Sequence, residues 1–169
     1  YPRLFHMAEV GTWPAIAANG LLSTTALLDL FEITEPTRVT IESQRRPAPV
    51  RIHHPTHGTA VIRDNLPLID KRLAGILDGC TLPEFYRLLN RRVFLWANEQ
   101  HLHRLLAARA YRDRSHTVIT VDTQNLVDRH GDAITLSRIN SGATLFGSPP
   151  RRGPATFERI ADFAPRTAD

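Results

Sequence analysis

The sequence predicts an α+β fold built as a single domain over residues 1–169. Three observations carry this. Segments with an apolar repeat near 3.6 residues crowd the first two thirds of the chain. Segments of alternating or β-branched character are scattered and densest towards the end. The two kinds do not follow the regular β-α-β order of a doubly wound sheet. With 169 residues, 42% hydrophobic and 22% charged, the chain has the make-up of one ordinary globular domain that forms a core without metal or disulfide staples.

In chain order, residues 3–7 read as a first strand ending around His6. Thr12 is a good N-cap, Pro14 sits where first-turn proline is tolerated, and Trp13, Ile16 and Ala17 are expected on one face of a short helix. Asn19-Gly20 stops that helix, because both residues accept a left-handed backbone. Leu21-Leu22 is brief, and Ser23-Thr24-Thr25 caps a second helix from Ala26 to Phe31. Residues 38–42 read as a helix end or a short strand, and Arg45 to Pro49 as a loop. Val50 to Pro55 is extended, with Arg51 and His53 on one face, and Thr56-His57-Gly58 is a turn. Ala60 to Asp64 is a strand or the start of a loop. The apolar face of Leu68, Ile69, Leu73, Ile76 and Leu77 predicts a helix over 68–77. Thr81, Pro83 and Glu84 open a helix over 82–90. Val93-Phe94-Leu95-Trp96 is a run of strand formers, Asn98 caps a helix over 99–110, and His116 to Asp122 is the clearest strand. A short helix over 123–129, a strand over 133–137, a turn at Asn140-Ser141-Gly142 and an edge strand over 156–160 complete the chain.

Composition narrows the function classes. No apolar run reaches membrane-spanning length and no secretory leader is recognisable. The single cysteine, Cys80, allows no internal disulfide, which fits a reducing cytoplasm; it lies in a helix-to-helix turn and reads as an inert small residue rather than a catalytic thiol. The net charge of +4 is carried almost wholly by arginine, Lys71 being the one lysine. Arginine forks grip phosphate and carboxylate, so the balance suits a nucleotide or nucleic-acid partner; arginine-rich coding offers a plainer reading of most of the surface.

Walker A, G-x-G-x-x-G, G-x-S-x-G and paired-cysteine signatures are absent. His53, His54 and His57 form the best metal candidate and His101 with His103 the next. Adjacent strand residues point to opposite faces, however, and positions two apart diverge on a helix, so no metal is expected. Phe94 and Trp96 share a strand face and read first as core, alternatively as a stacking wall for a flat ring; Tyr111 has the same two readings. Asn140 and Ser141 offer an amide and a hydroxyl just beyond a strand, in what is otherwise a plain turn.

Leu4-Phe5-His6-Met7, followed by Ile16 and Asn19-Gly20-Leu21-Leu22-Ser23, resembles the opening of the ADP-ribosyltransferase superfamily. The likeness is to its DNA-modifying DarT-type and tRNA 2′-phosphotransferase branches, where a His on the opening strand and the following helix and turn grip NAD. Ala8 stands where those branches carry threonine. Arg92 to Trp96 resembles the second core strand, and the segments at 116–122 and 134–142 match later strands in order and spacing.

The resemblance implies a split mixed β-sheet core with flanking helices and NAD as co-substrate. It implies His6, Asn19, Gly20, Leu21, Ser23, Trp96, Tyr111, Asn140 and Ser141 as NAD-binding residues. It also implies Glu158, the one late glutamate, as the catalytic carboxylate, and Arg63 or Arg51 as the arginine of the site. The implied activity is mono-ADP-ribosyl transfer, in which the nicotinamide ring, positively charged in NAD, leaves as a neutral molecule with little acid help. The expected acceptor is nucleic acid and the expected setting a bacterial toxin or defence protein. Two alternatives differ in class. One is a module that binds NAD or ADP-ribose without turnover. The other is a nucleic-acid-binding domain using the Arg45-Arg46, Arg91-Arg92 and Arg151-Arg152 pairs.

Overall fold

The opening strand β1, Arg3–Glu9, pairs antiparallel along its whole length with β4, His116–Asp122, placing His6 opposite Ile119. A computed structural model describes residues 1–145 and 147–164 of the chain. Strand alternation sends Phe5 and Met7 to one face of β1, where they pack with Leu102 and Tyr111, and leaves His6 and Ala8 on the other.

Three helices follow β1. Helix α1, Trp13–Asn19, has proline in its first turn and stops at Gly20, whose φ of +89° needs a residue free of Cβ. Trp13 is 52% exposed and Ala17 is exposed as well, so of the three residues expected on one face only Ile16 is half-buried. Helix α2, Thr24–Leu30, is capped by the Ser23 hydroxyl, which accepts from the Ala26 amide at 3.2 Å. Helix α3, Thr37–Ser43, resolves the open choice at 38–42 in favour of helix. Its Ile41 joins Leu28 of α2 and Phe31, which follows that helix as its C-cap, over the hairpin of β2, Val50–His54, and β3, Gly58–Ile62, which add Ile52, Ala60 and Ile62. Burying each such side chain contributes roughly 1.5–3 kcal/mol.

The middle of the chain is shorter in regular structure than its periodicity predicts. Helix α4, Asp70–Ala74, covers only the centre of the expected 68–77 span; at its start the Ile69 N–H donates to the Thr144 hydroxyl at 2.9 Å, and after it Ile76 N–H reaches only three residues back, to the Leu73 carbonyl. Helix α5, Leu82–Asn90, is opened by a capping box of Thr81 and Glu84, and buries Phe85, Tyr86 and Leu89 with Leu68 and Leu73. Residues 93–96 are not a strand. A single bridge joins Phe5 and Trp96, through mutual backbone hydrogen bonds of 2.9 and 2.8 Å, and the chain then leads into α6, Glu99–Leu106. Helix α6 stops before 110, where Ala108 and Tyr111 tighten into bonds reaching only three residues back.

Helix α7, Thr123–His130, is capped by Asp122, and β5, Thr135–Leu136, pairs with β6, Glu158–Arg159. The architecture is α+β. The described strands form three two-stranded antiparallel sheets in place of one split mixed sheet, since the free edge of β1 receives only the Trp96 bridge. Among the described residues no helix is long and apolar enough to cross a membrane.

Candidate functional site

A cleft lies where the His6–Ala8 face of β1 meets α1, α2 and β3. Its lining includes His6, Ala8, Ile16, Asn19, Gly20, Leu21, Phe31 and Arg63. The free volume is about 100 Å³, of the order of the ~150 Å³ cavity that accepts one aromatic ring.

His6 has a defined protonation. Its Nδ1 lies 2.9 Å from the Phe94 carbonyl oxygen, which only accepts, so Nδ1 carries the hydrogen and Nε2 keeps its lone pair in the neutral ring. Burial holds the imidazole below its ordinary pKa; the Phe94 hydrogen bond opposes this, and the Arg63 cation reinforces it. His6 is therefore a neutral acceptor at pH 7.

Arg63 supplies the cleft's cation. Its guanidinium sits 5.0 Å from the centre of the Tyr111 ring and reaches the Met7 carbonyl at only 3.5 Å. Among the described residues it has no carboxylate partner, the neighbouring Asp64 being engaged by Tyr111 Oη at 3.1 Å and by Arg114 at 4.0 Å. The Arg63 backbone is pinned by Arg46, which donates to its carbonyl at 3.0 Å; burial pushes the Arg46 pKa down to about 10. Arg51 is exposed on β2 and outside the lining, so of the two arginines considered it is Arg63 that joins His6.

Five of the expected site residues thus meet: His6, Asn19, Gly20, Leu21 and Arg63. The remaining six lie elsewhere. Ser23 caps α2. Trp96, as the register partner of Phe5, packs with the opposite face of β1. Tyr111 is 3% exposed in that same cluster and touches the site only from beneath Arg63. The Asn140 side chain closes its own turn by accepting from Gly142 N–H at 3.1 Å, and Ser141 is buried, its carbonyl held by Arg152 at 3.0 Å. Glu158 is paired with Arg138 at 3.3 Å on the small β5–β6 sheet.

The arginine pairs are largely occupied too. Arg45 donates to the Leu66 and Leu68 carbonyls, Arg46 to Ile41 and Arg63, and Arg92 to Leu88 while lying over Phe157. Arg151 pairs with Asp78 at 3.4 Å. Among the described residues no three His, Cys, Asp or Glu side chains are grouped to hold a metal.

Sequence reasoning did not single out Phe31, which forms part of the apolar wall, or the Phe94 carbonyl, which sets the His6 tautomer. The Leu27–Phe31 helical spacing was a signal for the first; a backbone carbonyl leaves no sequence signal. The profile of DUF7002, a family of unknown function, matches residues 2–169. No curated protein and no solved structure matches the chain.

Proposed function

We propose that this chain, which belongs to the DUF7002 family, binds NAD in the His6–Arg63 cleft and uses it for mono-ADP-ribosyl transfer. One observation supports the reading above all others: His6, Asn19, Gly20, Leu21 and Arg63, drawn from separate elements, line one cleft. His6 Nε2 accepts from a ribose hydroxyl, and the Arg63 guanidinium, in no ion pair among the described residues, meets the pyrophosphate in a cleft that Glu9 also lines. In the reaction the bond from ribose C1′ to the nicotinamide nitrogen breaks, and its electron pair leaves on neutral nicotinamide. The acceptor nucleophile then bonds to C1′ and loses its proton to solvent. The cleft's task is to hold the ribose while positive charge develops on it. Nucleic acid is the acceptor class that the resemblance to DarT-type enzymes suggests.

A second reading, NAD or ADP-ribose binding without transfer, is favoured by the engagement of Glu158 with Arg138 outside the cleft lining. Incubation with NAD and DNA, RNA or protein, followed by quantitation of free nicotinamide, separates them. Release that disappears in His6→Ala supports transfer. Calorimetric binding without release supports the second reading, and neither binding nor release overturns both.

A further inference from the structure

Asn19 contributes a fixed pair of polar groups to the cleft. Its Nδ2 donates to the Ala15 carbonyl at 2.9 Å, which settles which end of the carboxamide is nitrogen. Its Oδ1 lies 3.1 Å from Nδ1 of His57, and a carboxamide oxygen only accepts, so His57 Nδ1 carries a hydrogen. One N–H and one oxygen lone pair of Asn19 are left over, the donor and acceptor needed to read a hydroxyl.

His57 is in turn held by His54. The backbone N–H groups of Thr56 and His57 both approach His54 Nδ1, at 3.2 and 3.4 Å, so that nitrogen is an unprotonated acceptor. The arrangement is that of an Asx turn, with an imidazole nitrogen in place of a carboxamide oxygen. The two rings stack with centroids 4.7 Å apart and planes 30° apart, and each lies 6.0 Å from Phe31, itself a cleft residue.

We infer that His57 is a positioning residue for the cleft: its Nδ1–H fixes the Asn19 carboxamide, and His54 keeps His57 in place by accepting the backbone N–H groups of Thr56 and His57. The ligand side of this inference rests on the NAD-binding reading; the fixing of Asn19 is a property of the free chain.

The test follows the Asn19 side-chain NH2 pair by nitrogen-15 NMR in the free chain and titrates the same samples with NAD by calorimetry. His57→Ala is expected to shift the Asn19 pair towards solvent-exposed values and to weaken NAD binding roughly fivefold. His57→Asn, whose Nδ2–H stands where Nδ1–H did, is expected to restore both to within about twofold. His54→Ala, which removes the acceptor for the two backbone amides, is expected to reproduce the His57→Ala effect, and His54→Asn, whose Oδ1 accepts the same two amides, is expected to avoid it. An Asn19 pair indifferent to His57→Ala, or displaced as far by His54→Asn as by His54→Ala, overturns the inference. Expected Asn19 behaviour without any NAD binding upholds the positioning and overturns the NAD reading instead.

Discussion

Arg63 and Arg152 are both drawn away from bulk water, yet they are held in opposite ways. Arg152 is 2% exposed, and its guanidinium donates to the carbonyls of Ser141 and Ala143 at 3.0 Å, Pro150 at 3.3 Å and Asn140 at 3.4 Å. Around it the backbone is locked: Asp78 N–H bonds to the Arg152 carbonyl, Arg152 N–H to that of Ile76, and a Cβ on Gly153 would collide with the Asp78 carbonyl oxygen. Arg63 has one long carbonyl contact and an aromatic face, and lies open to a cleft. Each arginine stands beside an Asn- and Gly-containing turn, Asn140-Ser141-Gly142 in one case and Asn19-Gly20 in the other. The difference is where the guanidinium donors go. Spent on carbonyls they tie loops together; left over they are free to meet an anion.

That contrast breaks most visibly at Arg152. Arg152→Ala strands the buried Ser141 carbonyl and three part-buried ones and is expected to cost about 3–5 kcal/mol, read from urea unfolding. Arg152→Lys should recover little of this, because an ammonium cannot match the planar fork. A small loss would mean that water replaces the fork and that the contrast is empty. Arg63→Ala is expected to behave inversely, losing about tenfold or more in NAD affinity with about 1 kcal/mol or less of stability.

His6 gives an effect of intermediate size. Its pKa is lowered in the folded chain, so between that value and the unfolded value near 6.5 the unfolded state binds more protons. Stability is therefore full above that range and falls as the pH drops through it, levelling off below the folded pKa. A His6→Asn variant, which keeps a donor for the Phe94 carbonyl but does not titrate there, should flatten this part of the pH–stability curve. An unchanged curve would remove His6 as its source. The smallest effect is expected at Glu158, a half-exposed carboxylate in an ion pair. Glu158→Gln should change stability by less than about 1 kcal/mol and leave NAD affinity as it was; a clear fall in affinity would bring Glu158 back to the cleft.

What the sequence made legible was what residues state about their own backbone. The strand alternation in β1 and β4, the capping box of Thr81 and Glu84, and the Asn19-Gly20 stop all follow from neighbours within a few residues. The site was legible as far as His6 and the turn after α1, and in the inclusion of Arg63. What failed depended on pairings distant in sequence. Trp96 resembled a ligand wall, but its register opposite Phe5 turns it to the wrong face of β1. Ser23 has the hydroxyl a ligand needs, and the adjacent helix uses it first. The spacing of His53, His54 and His57 speaks only to metal, whereas His57 meets Asn19 across 38 positions of chain, a contact that no spacing rule encodes. Composition likewise showed the surplus of arginine without showing how much of it serves carbonyls.

The central claim, that the His6–Arg63 cleft is the NAD site, is tested most directly by mapping backbone amide shifts during an NAD titration. Perturbations are expected to concentrate at residues 6–9, 16–21 and 60–63, with 140–144 and Glu158 unmoved. An unperturbed spectrum, or shifts centred on the Arg152-tied loop, would contradict it.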